Sequence, residues 1–214
     1  MQTSGTHFLI PIPKACLAFS IFVATAWPVG SAEVTNIPVL GAHQPILIVE
    51  KNVNPQNKMV VYTRLDASGR FVVDPAAGDR PMLDFYWLMD GRNYKAVNGL
   101  IKNEIRKRFT GEWSAKNRTD SFTVNVNDLK EVKCDIKNPK MEICARETDG
   151  GRSVEAQMNL GPSDGNMRIK LSAIYTEGRA IPPAVDAVTL QGEEIVSGNL
   201  TGKKITRRYH AVDR

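Results

Sequence analysis

Three stretches in the second half of the chain alternate apolar and polar residues with a period of two. In SFTVNVN, Phe122, Val124 and Val126 alternate with Ser, Thr and Asn. In SVEAQMNL, Val154, Ala156, Met158 and Leu160 alternate with Glu155, Gln157 and Asn159. In MRIKLSAIY, Met167, Ile169, Leu171, Ala173 and Tyr175 alternate with Arg168, Lys170, Ser172 and Ile174. Successive side chains of a strand point to opposite faces, so each stretch reads as an antiparallel strand with one dry and one wet face. TDGG (148–151) and GPSDGN (161–166) carry the turn residues that connect such strands.

The first half keeps the same period less cleanly. PILIVEK (45–51) is apolar on both faces, KMVVYTRL (58–65) follows a turn-rich stretch, and RFVVD (70–74) and MLDFYWLM (82–89) come next. AVTLQG (187–192) and KKITRRYH (203–210) close the chain. VKCDI and MEICARE read as a hairpin about Asn138–Pro139, with Ile136 opposite Met141. The period changes once. Between Lys95 and Phe109, Val97, Ile101, Ile105 and Phe109 fall four apart with Leu100 beside them, which predicts one amphipathic helix with Asn93 as its N-cap. The pattern predicts an all-β fold: an antiparallel, lipocalin-like barrel of roughly eight to ten strands with one helix against it. A two-sheet β-sandwich is the alternative.

The N-terminus has a different character. Lys14 is the one charged residue before Glu33, and it precedes the apolar run ACLAFSIFVATAWPV and the small residues Gly30 and Ala32. This predicts a signal peptide over 1–32, an N-terminal arm over 33–44 and a single β-rich domain over 45–214. No later stretch is long and apolar enough to span a bilayer as a helix. Export follows, to a bacterial periplasm or beyond it. Loss of Lys14 lowers the formal charge from +5 to +4, too mild a surplus to imply nucleic acid.

Catalytic parts are scarce. The predicted mature chain has two histidines, His43 and His210, far apart in sequence, and no metal-binding, nucleophile-elbow or phosphate-loop motif. No cofactor or metal is expected. Acid pairs such as Asp84 with Asp90 or Glu104 with Glu112 leave a carboxylate hydrolase as the least favoured reading. Cys134 and Cys144 are candidates for a disulfide in an oxidising compartment, although the hairpin register puts Cys134 opposite Ile143. On a strand, Leu83, Phe85, Trp87 and Met89 share one face. With Phe71, Phe122 and Tyr175, these rings and Met89 either fill the core or line a cavity for a ligand. Lys102, Arg106, Lys107 and Arg108 form a basic helix end, either a solvated face or an interaction patch. NRT (117–119) and NLT (199–201) match the N-glycosylation pattern.

The order of EKNVNPQNKMVVYT, FYWLMDG, NEIRKRFTG and VTLQGEEIVSGNLTGKKITRRY resembles an uncharacterised family of exported, β-rich bacterial single-domain proteins, over about 45–209. The resemblance implies export and one β-rich domain, and no catalytic residues.

The expected function is therefore binding. One form is an exported, non-enzymatic barrel that holds a small apolar, amphipathic or lipid ligand in the cell envelope. The other is an envelope protein-interaction module that uses strand edges or the basic helix end, with an envelope protein or anionic surface as partner.

Overall fold

The computed structural model describes residues 37, 39–51, 58–74, 80–89, 93–97, 102, 105, 108–109, 121–137, 139–148, 151–180 and 183–211. All of them lie in one compact unit, Ala32–Arg214. The segment 1–31, Arg106, Lys107, Asp90, Glu104, Glu112 and the NRT stretch lie outside the described residues.

The fold is all-β. Twelve strands are described: β1 (His43–Lys51), β2 (Lys58–Arg64), β3 (Val73–Asp74), β4 (Arg80–Pro81), β5 (Leu83–Met89), β6 (Asn93–Ala96), β7 (Ser121–Asn125), β8 (Lys140–Thr148), β9 (Gly151–Asn159), β10 (Arg168–Ala180), β11 (Pro183–Val196) and β12 (Asn199–His210). Ten form one sheet in the order β6-β5-β2-β1-β10-β9-β8-β7, with β11 and β12 continuing from β10. The sheet curls into a half-barrel. The predicted helix is corrected at its start: Asn93, expected as its N-cap, opens strand β6, which also takes Lys95 and Ala96. Of the rest, Val97, Lys102, Ile105, Arg108 and Phe109 are described; Lys102, Ile105 and Arg108 have helical backbone, and the element as a whole lies outside the described residues.

β10 is where the sheet forks. β11 follows one edge of β10 from Arg168 to Ala180. The other edge is shared: residues 168–171 pair with β9, and residues 173–176 pair with β1. β1 runs parallel to β10, the one departure from the antiparallel pattern among the described pairings. Between the two halves, a bulge at Ser172 shifts the register against β11. A bulge adds one residue, so it exchanges the faces of everything that follows. Ile169 and Leu171 face the main core before it, and Ile174 faces that core after it. The unbroken alternation read from MRIKLSAIY is thereby corrected. Ile174 is 1% exposed in the core, and Tyr175 lies on the other face with Ala173. Gly192 stands opposite Leu171 at the bulge, where a Cβ would collide with the Lys170 carbonyl oxygen.

The main core fills the concave side. It draws Leu47 and Val49 from β1, Phe85 from β5, Phe122 and Val124 from β7, Met141 and Ile143 from β8, and Val188 and Leu190 from β11. Ile105 and Phe109 join it from the helical segment. A second cluster sits on the convex side of β1, β2 and β10, built from Ile48, Val60, Tyr62 and Ala173. The two clusters explain why PILIVEK and KMVVYTR are apolar on both faces.

The hairpin expected about Asn138–Pro139 does not form. Met141 pairs with Val124 and with Met158, so both edges of β8 are already taken by β7 and β9. Residues 133–136 lie outside any strand. The chain before them makes a single 3-10 turn at Asn127–Lys130 and buries Leu129 and Val132 in the core. Val132 then bridges Ala211, and the Lys133 N–H donates to the His210 carbonyl at 2.7 Å, which ties this segment to the end of β12. Cys134 and Cys144 are both free. Cys144 points away from the core face of β8, opposite Ser121 and Glu155, while the Cys134 thiol donates to the Leu129 carbonyl at 3.2 Å.

Candidate functional site

The aromatic stretch 82–89 becomes β5, and its two faces meet different surroundings. Leu83 and Phe85 point into the main core at 4% and 1% exposure, and Trp87 packs against that core while half-buried. Phe85 lies 6.5 Å from Phe109 in a stacked pair, and Phe71 meets Phe122 edge-on at 4.8 Å. Rings at such distances are in mutual contact, so Phe71 packs on Phe122 and Phe85 on Phe109 within the core. Tyr175 stands on the opposite face, where burial first and then the charges of Glu177 and Glu50 push its phenol upward. Of Met89 only the backbone is described.

The other face of β5 carries Asp84, Tyr86 and Leu88. Register places Asp84 beside Tyr62 and Tyr86 beside Val60 on β2, while Ala96 and Tyr94 of β6 stand opposite Tyr86 and Leu88. Opposed residues share a face. An apolar strip therefore runs across the convex side from Ala173 through Ile48, Val60 and Tyr86 to Ala96. Tyr86 and Leu88 are half-buried against the small convex cluster. β6 is the outermost strand of this wing among the described residues, and Lys95 and Ala96 are exposed there.

The described part of the N-terminal arm packs on this strip through Ile37 and Leu40. At Gly41–Ala42 the chain reverses; Leu40 N–H donates to His43 O at 3.2 Å and His43 N–H donates to Leu40 O at 3.0 Å. Gly41 has φ +62, a conformation L side chains rarely adopt, which suits glycine to this turn. Ile37 and Leu40 pack onto the cluster of Ile48, Val60, Tyr62 and Ala173. The ring of His43 meets Tyr86 edge-on at 5.7 Å, and Tyr62 meets Tyr86 at 5.2 Å.

Asp84 anchors the arm electrostatically. Its Oδ2 lies 3.1 Å from His43 Nε2 and accepts from Arg64 Nε at 2.9 Å; its Oδ1 accepts from Lys102 Nζ at 3.1 Å. Burial works against its charge, but Lys102 and Arg64 outweigh burial and hold the carboxyl below its ordinary 3.8. His43 Nδ1 lies 2.9 Å from the Leu40 carbonyl. Both ring nitrogens thus face acceptors. A catalytic histidine needs one nitrogen turned to the group whose proton it moves, and here neither is.

The basic helix end divides in the same way. Lys102 is taken by Asp84. Arg108 donates from Nε and Nη2 to Asp128 and from Nη2 to Thr176 Oγ1, and Thr176 Oγ1 in turn donates to Asp128 at 2.8 Å. Asp128 and Thr176 are 7% and 2% exposed, so this pair is buried. Lys102 and Arg108 are therefore engaged with β5, the 3-10 turn and β10.

The sequence predicts an arm over 33–44, but not its packing on this strip, the His43–Asp84 contact or the Arg64 pairing. One signal was present: two consecutive strands with no polar face require cover on both sides. Comparison of the chain with protein-family models, with curated proteins and with solved structures finds no match.

Proposed function

We propose that the protein is an exported, non-enzymatic domain of the bacterial cell envelope that binds an extended amphipathic segment of another envelope protein along β6 and the strip beside it. The observation that carries this reading is the convex apolar cluster, which takes the aliphatic side chains of Ile37 and Leu40 from the chain's own arm. A strand added to an exposed edge gains main-chain hydrogen bonds, and alternate side chains settle on the adjoining face. At β6 that adjoining face is Tyr86 and Leu88. The arm shows which chemistry the strip accepts: aliphatic side chains such as Ile37 and Leu40. The reading of a small apolar ligand held inside the barrel has less support, since Phe71, Phe85 and Phe122 are in contact with other core rings.

A photo-crosslinking amino acid placed at Lys95 tests the proposal in cells that export the protein. The expected result is a discrete protein adduct at Lys95 that is lost in the Tyr86→Ser/Leu88→Ser double variant. No adduct, or one indifferent to that variant, rejects the site. Native mass spectrometry of the recovered protein should show a bare mass. A solvent-extractable adduct would favour the interior ligand instead.

A further inference from the structure

The convex side of the other wing is polar, and its residues stand in register across six strands. Thr123, Glu142, Gln157, Lys170, Glu193 and Lys204 are consecutive cross-strand partners from β7 to β12. Most of such a row is an ordinary solvated face with opposite charges side by side. Gln157 departs from that description. It lies on the outer face yet is only 2% exposed, and both ends of its amide are used. Its Oε1 accepts from Arg168 Nε at 2.9 Å, and its Nε2 donates to Glu155 Oε2 at 3.3 Å. Glu155, 8% exposed, is held in turn by Lys170 at 2.8 Å and Arg146 at 3.2 Å.

Burying an amide and a carboxylate on an outer sheet face costs desolvation that solvated residues would avoid. What the network achieves is the orientation of Arg168. Gln157 holds the guanidinium at Nε, and Glu142 Oε2 holds it at Nη2 from 2.7 Å. A guanidinium has five N–H donors, so donors remain beyond these two bonds, on a side chain that is 42% exposed. Arg168 lines an open pocket of about 240 Å³ together with Thr123, Lys140, Glu142, Gln157, Met158 and Asn159.

We propose that this pocket binds a small polyhydroxylated carboxylate, of the class of a single uronic-acid sugar. Arg168 brings the positive charge, and the Glu142 carboxylate beside it favours a monoanion over a more highly charged ligand. A phosphate dianion would meet about twice the like-charge repulsion from Glu142 that a monoanion meets. Thr123 and Asn159 supply neutral hydrogen-bonding groups suited to sugar hydroxyls. Arg168 binds the carboxylate, and Gln157 positions Arg168. The site shares only β10 with the strip, at Arg168 against Ala173 on either side of the bulge, and the two proposals stand independently.

The test is nitrogen–proton NMR of the intact protein titrated with glucuronate, glucose and inorganic phosphate. Glucuronate should shift the Arg168 Nε, Gln157 and Asn159 side-chain signals saturably, with a dissociation constant of roughly 1 mM. Glucose and phosphate should each bind about tenfold more weakly or not at all. Arg168→Gln should weaken glucuronate about tenfold or more. Asn159→Asp, at an exposed position that leaves the sheet intact, should also weaken it through charge. Gln157→Met should weaken glucuronate while its Tm stays close to the parent, a split that a purely structural role would not give. Absence of saturable shifts with glucuronate overturns the proposal. So do equal affinity for phosphate or glucose, and undiminished binding in both Arg168→Gln and Asn159→Asp.

Discussion

Removing Asp128 should be among the most damaging single substitutions that leave the apolar core untouched. Its carboxylate takes Arg108 through two nitrogens and the hydroxyl of Thr176, in a place where Asp128 is 7% exposed and the Arg108 side chain 16%. Asp128→Ala leaves the guanidinium and the Thr176 hydroxyl without their acceptor, in surroundings that shield them from water. Breaking one partner of a buried pair costs about 3–5 kcal/mol. That is a large part of the roughly 5–15 kcal/mol by which a domain is stable. Arg108→Met should cost a similar amount by stranding the carboxylate. The double variant Arg108→Met/Asp128→Leu should recover most of the loss, because apolar groups of similar volume escape the desolvation cost of both ions. Urea denaturation reads this directly. With a slope of about 1–3 kcal/mol/M, each single variant should lower the midpoint by more than about 1 M at unchanged slope, and the double variant should return toward the parent. The reasoning is refuted if either single variant costs under about 1 kcal/mol, or if the double variant is as unstable as the two losses added together.

Three further outcomes follow from the same geometry. Gly192→Val should destabilise by about 1–3 kcal/mol or more, since any Cβ there meets the Lys170 carbonyl opposite the bulge, and thermal unfolding reads it. Asp84→Asn should be less stable than the parent near neutrality. Because the folded carboxyl sits below 3.8, its contribution is present above that pH and is lost as pH falls through the folded value, so the two denaturation curves should converge in acid. Cys144 is pushed up to about 11, first by burial and then by Glu142, and burial also raises Cys134. Both thiols should resist iodoacetamide at pH 8 in the native state and react fully in denaturant; rapid native alkylation counted by mass would contradict this.

Period-two alternation at 121–126, 153–160 and 167–171 was enough to establish strands and their inward faces, because side-chain direction in a strand depends only on parity. Parity is also where the reading from sequence failed. A bulge at Ser172 leaves no mark in composition, yet it turned Ile174 inward and Tyr175 outward. The pairing of β8 was misjudged for a related reason. The near neighbour in sequence, 133–136, looked like its partner, and β7 and β9 won both edges. The stretch MLDFYWLMDG shows the same division within one strand. Its sequence was enough to place Phe85 and Trp87 on a common face, and only long-range pairing showed which contacts those rings make. Charge partners were the least legible. Asp84 meets His43 across 41 residues, and Arg108 meets Thr176 across 68. Local sequence determined strands, turns and faces, because these depend on neighbouring residues. The tertiary structure decided the fork at β10, the cover over the convex strip and the orientation of Arg168, because each depends on residues brought together by the curl of the sheet.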